Sequence, residues 1–299
     1  MHIGKYSFDT NRRGYIMGIL NVTPDSFSDG GNYNQLDKAL FHAEEMIKQG
    51  ASILDVGGES TRPGYTQISN QEEIERVVPV ISKLKESFDV PISLDTYKAD
   101  VAKAGIEAGA DMINDIWGLR YDEGEMSHVI ADSGVACCLM HNREAEIDYC
   151  GMGDVIEADL HPYVMDLMGR VSKPCLYYLS KFCKDIDQIM KIAGEADIKG
   201  EQIVLDPGIG FGKSYEQNLM TIRHLDILKN WNLPILLGTS RKRVIGRGSG
   251  DLPVEDRDEG TAATTVFGRM KGASFFRVHN CQINYRELVM IDSLLNCDK

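Results

Sequence analysis

The sequence predicts an α/β protein, a TIM (β/α)8 barrel forming a single domain over residues 1–299, and three observations carry this. Short apolar, β-branched runs alternate with amphipathic stretches along the chain. About eight strand-then-helix units fit the repeat of this barrel, whose active site lies at the carboxyl ends of the strands. The residue closing nearly every apolar run is polar. Strands are expected at 15–21, 52–56, 92–95, 112–115, 136–141, 203–206, 235–239 and 275–279. Helical patterns follow at 36–49, 72–87, 98–108, 216–229, 259–271 and 284–295, with polar starts of the capping kind. An open doubly wound sheet is the structural alternative, because strand count alone does not prove closure. An extended segment near 148–187 fits a dimer contact, a lid or an outer helix, the last being preferred.

Composition limits the partners. With 43% hydrophobic and 26% charged residues, the chain can bury one large core. A formal net charge of -13 argues against nucleic acid or an acidic membrane surface, so any anion must be drawn by a local basic patch. The stretch from Met1 to Arg13 mixes charged and polar residues without a continuous apolar run, so a cleavable secretory signal is not expected, and no later run reaches membrane-spanning length. A soluble, cytoplasmic protein is expected. Seven cysteines, including the neighbours Cys137 and Cys138, read as packed thiols, and without a Cys-x-x-Cys pair zinc is not expected.

The strand exits carry the chemistry. Residues 17–31 run from an apolar strand into Asn21, Thr23, Asp25, Ser26, Ser28 and Asp29, an oxygen-rich loop suited to a hard cation and a phosphorylated ligand. The other exits present Asp55 followed by Gly-Gly-Glu-Ser-Thr-Arg-Pro-Gly at 57–64, then Asp95, Asn114 with Asp115, and His141 with Asn142. They continue with Asp-Pro-Gly-Ile-Gly-Phe-Gly-Lys at 206–213, Thr-Ser-Arg-Lys at 239–242, and Arg277 with His279. Gathered at one mouth, such a ring costs stability unless ligands or mutual hydrogen bonds satisfy it.

Asp95 and Asp206 can each accept paired bonds from an edge carrying NH and NH2, while Asn114 donates and accepts. That set suits a flat heterocycle such as a pterin or a purine. Lys242, Arg277 and Arg62 could grip a phosphate or a carboxylate. His279, two residues beyond Arg277, shares its side of the strand, and the pair reads as an anion site. Taken singly, His279 would more often be a packing residue, and Asp206 could serve as a helix cap. Gly212-Lys213-Ser214 imitates the end of a P-loop but has Pro207 where the first glycine is required. Gly208, Gly210 and Gly212 alternate and give no dinucleotide fingerprint; they are expected to bring backbone close to a flat ligand.

These motifs, at 21–31, 57–64, 206–213, 239–242 and 277–279, resemble the dihydropteroate synthase family of the folate pathway, in the family's order and across nearly the whole chain. The resemblance implies a TIM barrel, usually dimeric. It would join 6-hydroxymethyl-7,8-dihydropterin diphosphate to 4-aminobenzoate, giving 7,8-dihydropteroate and diphosphate with magnesium. Carried over residue by residue, it makes Asp95, Asn114 and Asp206 the pterin pocket, with Met140 lining it and Lys242 reaching the ring carbonyl. Asn21 would hold magnesium against the diphosphate, and Asn21, Arg277 and His279 would form the diphosphate site. Phe27, Thr61, Arg62, Pro63, Phe211 and Lys242 would surround the aminobenzoate, and Asp29 and Arg62 would lie on loops that close over the substrates. The implied mechanism is dissociative: the bond from the pterin methylene to diphosphate breaks before the amine attacks.

The chain also departs from the family pattern. The 148–187 segment is long, Arg243 stands where many relatives have a small hydroxyl residue, and Asn280 stands where aspartate commonly follows the histidine. A methyltetrahydrofolate-dependent methyltransferase and a non-catalytic pterin-binding paralogue are the alternatives. The former has no need of the basic residues of the Thr-Ser-Arg-Lys and Arg-Val-His motifs.

Overall fold

Strand alternation sorts this chain into an inside and an outside. The computed structural model describes residues 1–22, 32–60, 66–143 and 159–298. Within them run β1 (Tyr15–Asn21), β2 (Ala51–Gly57), β3 (Ile92–Asp95), β4 (Met112–Asp115), β5 (Ala136–Met140), β6 (Ile203–Asp206), β7 (Leu236–Leu237) and β8 (Phe275–Val278). All pair in parallel in one eight-stranded sheet, with β1 flanked by β2 and β8. The two ends of the strand order meet where Leu205 of β6 bridges Ile235, and the Leu205 N–H donates to the Pro234 carbonyl at 2.9 Å. The sheet therefore closes on itself, and the open doubly wound alternative is excluded.

Side chains on a strand alternate between faces. Met17, Ile53, Met112, Cys138, Val204, Leu236 and Phe275 pack together inside the barrel. Their sequence neighbours, among them Ile16, Leu54, Ile113, Cys137, Leu205 and Phe276, join the larger cluster beneath the helices. The amino end is closed by an antiparallel hairpin of His2–Ile3 and Tyr6–Ser7, turning at Gly4 with φ 56°. From it, fully buried Ile3 joins the interior cluster, and Phe8 meets Tyr15 edge-on at 4.8 Å and Phe275 at 5.5 Å. Burying such apolar side chains contributes about 1.5–3 kcal/mol each.

The helices are α1 (Asn32–Lys48), α2 (Asn70–Ser87), α3 (Ala99–Glu107), α4 (Glu125–Ser133), α5 (Lys173–Glu195), α6 (Tyr215–Arg223), α7 (Arg243–Gly248), α8 (Asp258–Met270) and α9 (Cys281–Leu295). Four of their starts are capped by side chains: Ser69 accepts from the Glu72 N–H, Ser172 from Cys175, Asn280 from Ile283, and Ser214 forms a reciprocal box with Gln217. The helix expected at 216–229 is broken at His224, after which Leu225–Trp231 is a 3-10 helix. The described part of the 148–187 segment holds a 3-10 helix, Pro162–Leu167, and the first part of α5, which buries Leu176, Tyr178, Leu179, Phe182 and Ile186. Cys137, Cys138, Cys175, Cys183 and Cys281 are buried free thiols. Among the described residues, no helix is long and apolar enough to cross a membrane.

Candidate active site

Above the apolar layer, the inward positions of the same strands turn polar. Gly57 stands in register between Asn21 and Asp95, Asp95 lies opposite Asn114, and Met140 lies opposite Asp206. At the centre, Arg277 donates from Nε to Asp55 Oδ2 at 2.6 Å and from Nη2 to Asp95 Oδ2. Asn114 Nδ2 reaches the same Asp55 oxygen at 3.3 Å. The other carboxylate oxygens, Oδ1 of Asp55 and of Asp95, are buried without a hydrogen-bond partner among the described residues. Two carboxylates thus share one guanidinium. Burial pushes Asp95 up to about 7; Arg277 opposes this and the Asp55 charge adds to it. Burial works against the Arg277 charge as well, but Asp55 and Asp95 outweigh it and hold the proton more firmly than usual.

The β6 exit supplies the second half of the mouth. Asp206 Oδ1 accepts the Gly208 N–H at 2.7 Å, and Asp206 Oδ2 lies over Gly238, 3.7 Å from where a Cβ would stand. Burial raises the Asp206 carboxyl above its ordinary range against the pull of Lys242. Lys242 donates to the Ile209 carbonyl at 2.5 Å and stands 4.8 Å from the centre of the Phe211 ring. Burial draws Lys242 down to about 8 while Asp206 resists. Tyr97, Ile116 and Met140 form a small buried cluster with Trp117 and Phe211 packed on it, an apolar wall beside this charged floor. His279 pairs through Nδ1 with Ser240 Oγ at 2.9 Å, and its own N–H donates to the same hydroxyl at 3.1 Å.

Several expected members of the ring face elsewhere, and strand parity is the reason. His141 turns outward, its ring 4.6 Å from Phe182 and its Nε2 3.0 Å from Asp185 of α5. Asp115, one residue past Asn114, also points out and accepts the N–H groups of Trp117 and Leu119. Thr239 bonds Thr264 of α8. Two glycines of the 206–213 run are required by the chain beside them. A Cβ on Gly208 (φ 68°) would stand 1.8 Å from the His141 carbonyl, and one on Gly212 (φ 53°) 2.3 Å from that of Arg143. These two glycines admit the neighbouring strand's exit, whereas a Cβ on Gly210 (φ 86°) would stand 3.3 Å from the Lys242 side chain.

Phe27, Asp29, Thr61, Arg62 and Pro63 lie outside the described residues. The base of the second loop is described. There Lys98 Nζ donates to Glu59 at 2.7 Å, Glu73 at 2.8 Å and the Ile68 carbonyl at 2.8 Å, and the Tyr97 hydroxyl bonds the other Glu59 oxygen at 2.5 Å. Asp55 stands among the strand exits in the sequence, but its pairing with Arg277 is not readable from any motif, and neither is the Lys98 knot. The inward position of Asp55 could have been found from its place two residues beyond Ile53.

The donor set accommodates magnesium only as an ion carried with a phosphorylated substrate. Asn21 Oδ1 and Asp95 Oδ2 lie 3.5 and 3.8 Å from where a Cβ on Gly57 would stand, so both face one side of the mouth. Among the described residues no cluster of His, Cys, Asp and Glu forms a dedicated cage. A hard ion that keeps its waters and takes phosphate oxygens needs only one or two protein oxygens, and Asn21 fits that requirement.

Fold and mouth together define a barrel enzyme for a flat, polar heterocycle. The family described as pterin binding enzyme matches residues 17–279. A dihydropteroate synthase of Clostridium beijerinckii is 51% identical over 99% of both chains. A crystal structure of dihydropteroate synthase from Clostridium difficile, obtained in the presence of pteroic acid, superposes with a TM-score of 0.83 at 44% identity, covering 96% of this chain and 99% of that one. The Xanthomonas albilineans dihydropteroate synthase with 4-aminobenzoic acid gives 0.82 at 34% identity, covering 95% and 94%. The chain belongs to the pterin-binding enzymes, among the dihydropteroate synthases.

Proposed function

We propose that this chain joins 6-hydroxymethyl-7,8-dihydropterin diphosphate to 4-aminobenzoate, releasing 7,8-dihydropteroate and diphosphate. The observation that carries the reading is the convergence of Asp55, Asp95, Asn114, Asp206, Lys242 and Arg277 on one barrel mouth beside an apolar wall. The ligands of the relatives' complexes, pteroic acid and 4-aminobenzoic acid, support the same two substrates.

In this reading Asp206, Asp95 and Asn114 hold the donor-rich edge of the pterin, and Lys242 meets its ring carbonyl. As the bond from methylene carbon to diphosphate oxygen breaks, positive charge spreads into the pterin, and the Asp95 and Asp55 carboxylates stabilise it electrostatically. A guanidinium carries five N–H donors, more than two carboxylate contacts use, so Arg277 can also meet the departing diphosphate together with His279. The arylamine nitrogen then attacks the methylene carbon, the C–N bond forms, and its proton is released. Phe211 and Lys242 flank that substrate, with Thr61, Arg62, Pro63 and Phe27 assigned to it by family pattern, and Asp29 and Arg62 to loop closure. Magnesium, held by Asn21 and the diphosphate, would supply further positive charge against the leaving group.

We also assign the chain a homodimer through α8 and α9, whose outer faces expose Met270, Tyr285, Val289, Met290 and Leu294. A monomer in sedimentation equilibrium would refute this. The buried free thiols favour a reducing cytoplasm, and a disulfide in protein isolated from its cell would count against it.

The deciding experiment supplies both substrates and magnesium and follows diphosphate release and pteroate formation together. Stoichiometric formation of the two products is expected. Pterin binding without turnover would leave a non-catalytic binding protein instead.

A further inference from the structure

One buried cation takes no part in the chemistry above. Lys213 closes the 206–213 motif at 9% exposure, and four acceptors converge on its Nζ. They are the carbonyls of His141 at 3.2 Å, Gly208 at 2.8 Å and Phe211 at 3.1 Å, and His141 Nδ1 at 2.8 Å. His141 is fully buried, and its Nε2 lies 3.0 Å from Asp185 Oδ2, which is also held by Arg143 Nε at 2.6 Å. A carboxylate at Nε2 fixes the ring hydrogen there, so Nδ1 presents a lone pair to Lys213. Three separate parts of the fold meet in this chain of contacts: α5 through Asp185, the β5 exit through His141, and the loop after β6.

Without the ammonium this loop could not keep its path. Three carbonyl dipoles aimed at one buried point repel each other and lack donors unless a cation sits among them. Gly208 and Gly212 already bring the loop to the limit of approach against the His141 and Arg143 carbonyls, so it cannot settle closer to recover other partners. The loop in turn carries pieces of the mouth. The Gly208 N–H fixes Asp206 Oδ1, the Ile209 carbonyl takes the Lys242 ammonium, and Phe211 forms part of the wall beneath that ammonium.

We propose that Lys213 is a positioning residue. By gathering the carbonyls of His141, Gly208 and Phe211, it holds the loop after β6 in the shape that presents Phe211 and Lys242 to the arylamine substrate, with Asp185 of α5 anchoring His141 behind it. The proposal rests on the function proposed above. It gives the outer helix α5 a role in the reaction through a residue that touches no substrate.

Lys213→Met keeps most of the unbranched side chain and removes the ammonium. The KM for 4-aminobenzoate is expected to rise at least about tenfold, and that for the dihydropterin diphosphate by a clearly smaller factor, since the loop also touches Asp206 and Lys242. Asp185→Asn, altered outside the mouth, should move the same constant in the same direction by a smaller factor. Amide hydrogen exchange at Gly208, Gly210 and Phe211 should accelerate in Lys213→Met while the strands stay protected. An aminobenzoate KM within about twofold of the original in Lys213→Met would overturn the proposal, as would equal loss of both substrates. If Lys213→Met does not fold, an unchanged aminobenzoate KM in Asp185→Asn overturns it instead. If the unaltered protein fails to turn over, the functional reading falls, and unaltered exchange in the 208–211 loop would then still reject the positioning role.

Discussion

The two ends of this barrel are built from the same strands and do opposite things. At the amino end Phe275, Met17 and Ile53 pack on Ile3 and Phe8 of the hairpin, and the interior is apolar. Two residues beyond Phe275 and Ile53, Arg277 meets Asp55, and with it Asp95 of the next strand, in place of that hydrocarbon. A buried carboxylate pair with a single guanidinium and two unpartnered oxygens weakens the fold unless a ligand completes it. The apolar end offsets that cost. Stability and chemistry are thus separated along the strands by about one period of alternation, roughly 7 Å.

The largest break in the comparison comes at Arg277. Arg277→Ala should lower kcat/KM at least about a hundredfold, because a preorganised charge at a reacting centre is worth about 2.7–4 kcal/mol. It also strands two buried carboxylates. Steady-state rates equal to those of the unaltered protein would remove Arg277 from the reaction. The mirror experiment is Phe275→Ala, two residues earlier on the same strand. It should cost about 3–5 kcal/mol in urea unfolding while KM values in the surviving folded protein change less than about twofold. Similar stability with impaired KM would show that the two ends are not separable.

The dependence on pH sharpens the contrast within the polar end. The ionised Asp95 and the protonated Lys242 are both required, so kcat/KM should rise as pH passes about 7 and fall as it passes about 8. Stability follows the same protons. Native Asp95 keeps a proton that the unfolded chain has already released, so its contribution to stability falls as pH climbs from the ordinary carboxylate range to about 7. Asp55→Asn removes a charge that raises Asp95, and should shift the acid limb to lower pH; an unmoved limb would mean that another group sets it. The smallest effect is expected at Ser240→Ala, which takes two hydrogen bonds from His279. About a three- to tenfold rise in KM for the pterin diphosphate would match bonds of about 1 kcal/mol, and unchanged KM would leave His279 positioned by other contacts.

How much of this the amino-acid pattern could show depends on parity and distance. The strands were legible because buried β-branched runs stop on polar residues, but closure was not, since it rests on Leu205 meeting Ile235 across the seam. Asp95, Asn114 and Asp206 follow from their places at strand ends. His141, Asp115 and Thr239 looked equivalent, yet each sits on the opposite pleat and serves the outer shell. The exact residue at which a strand stops decides which way its last side chain faces, and composition does not encode it. Lys213 escaped notice because its acceptors come from residues far apart in the chain, and the closest motif for it was a phosphate loop that Pro207 rules out. The hairpin was invisible for the opposite reason: two two-residue strands leave no periodicity to read.

That hairpin has a consequence for how the molecule comes into being. Phe8 and Tyr15 find their shared seat against Phe275, so a stopper translated early waits for a socket translated near the end. Until β8 emerges and docks on β1, the growing chain carries an uncovered greasy end, the period in which association with other nascent polypeptides competes with sealing.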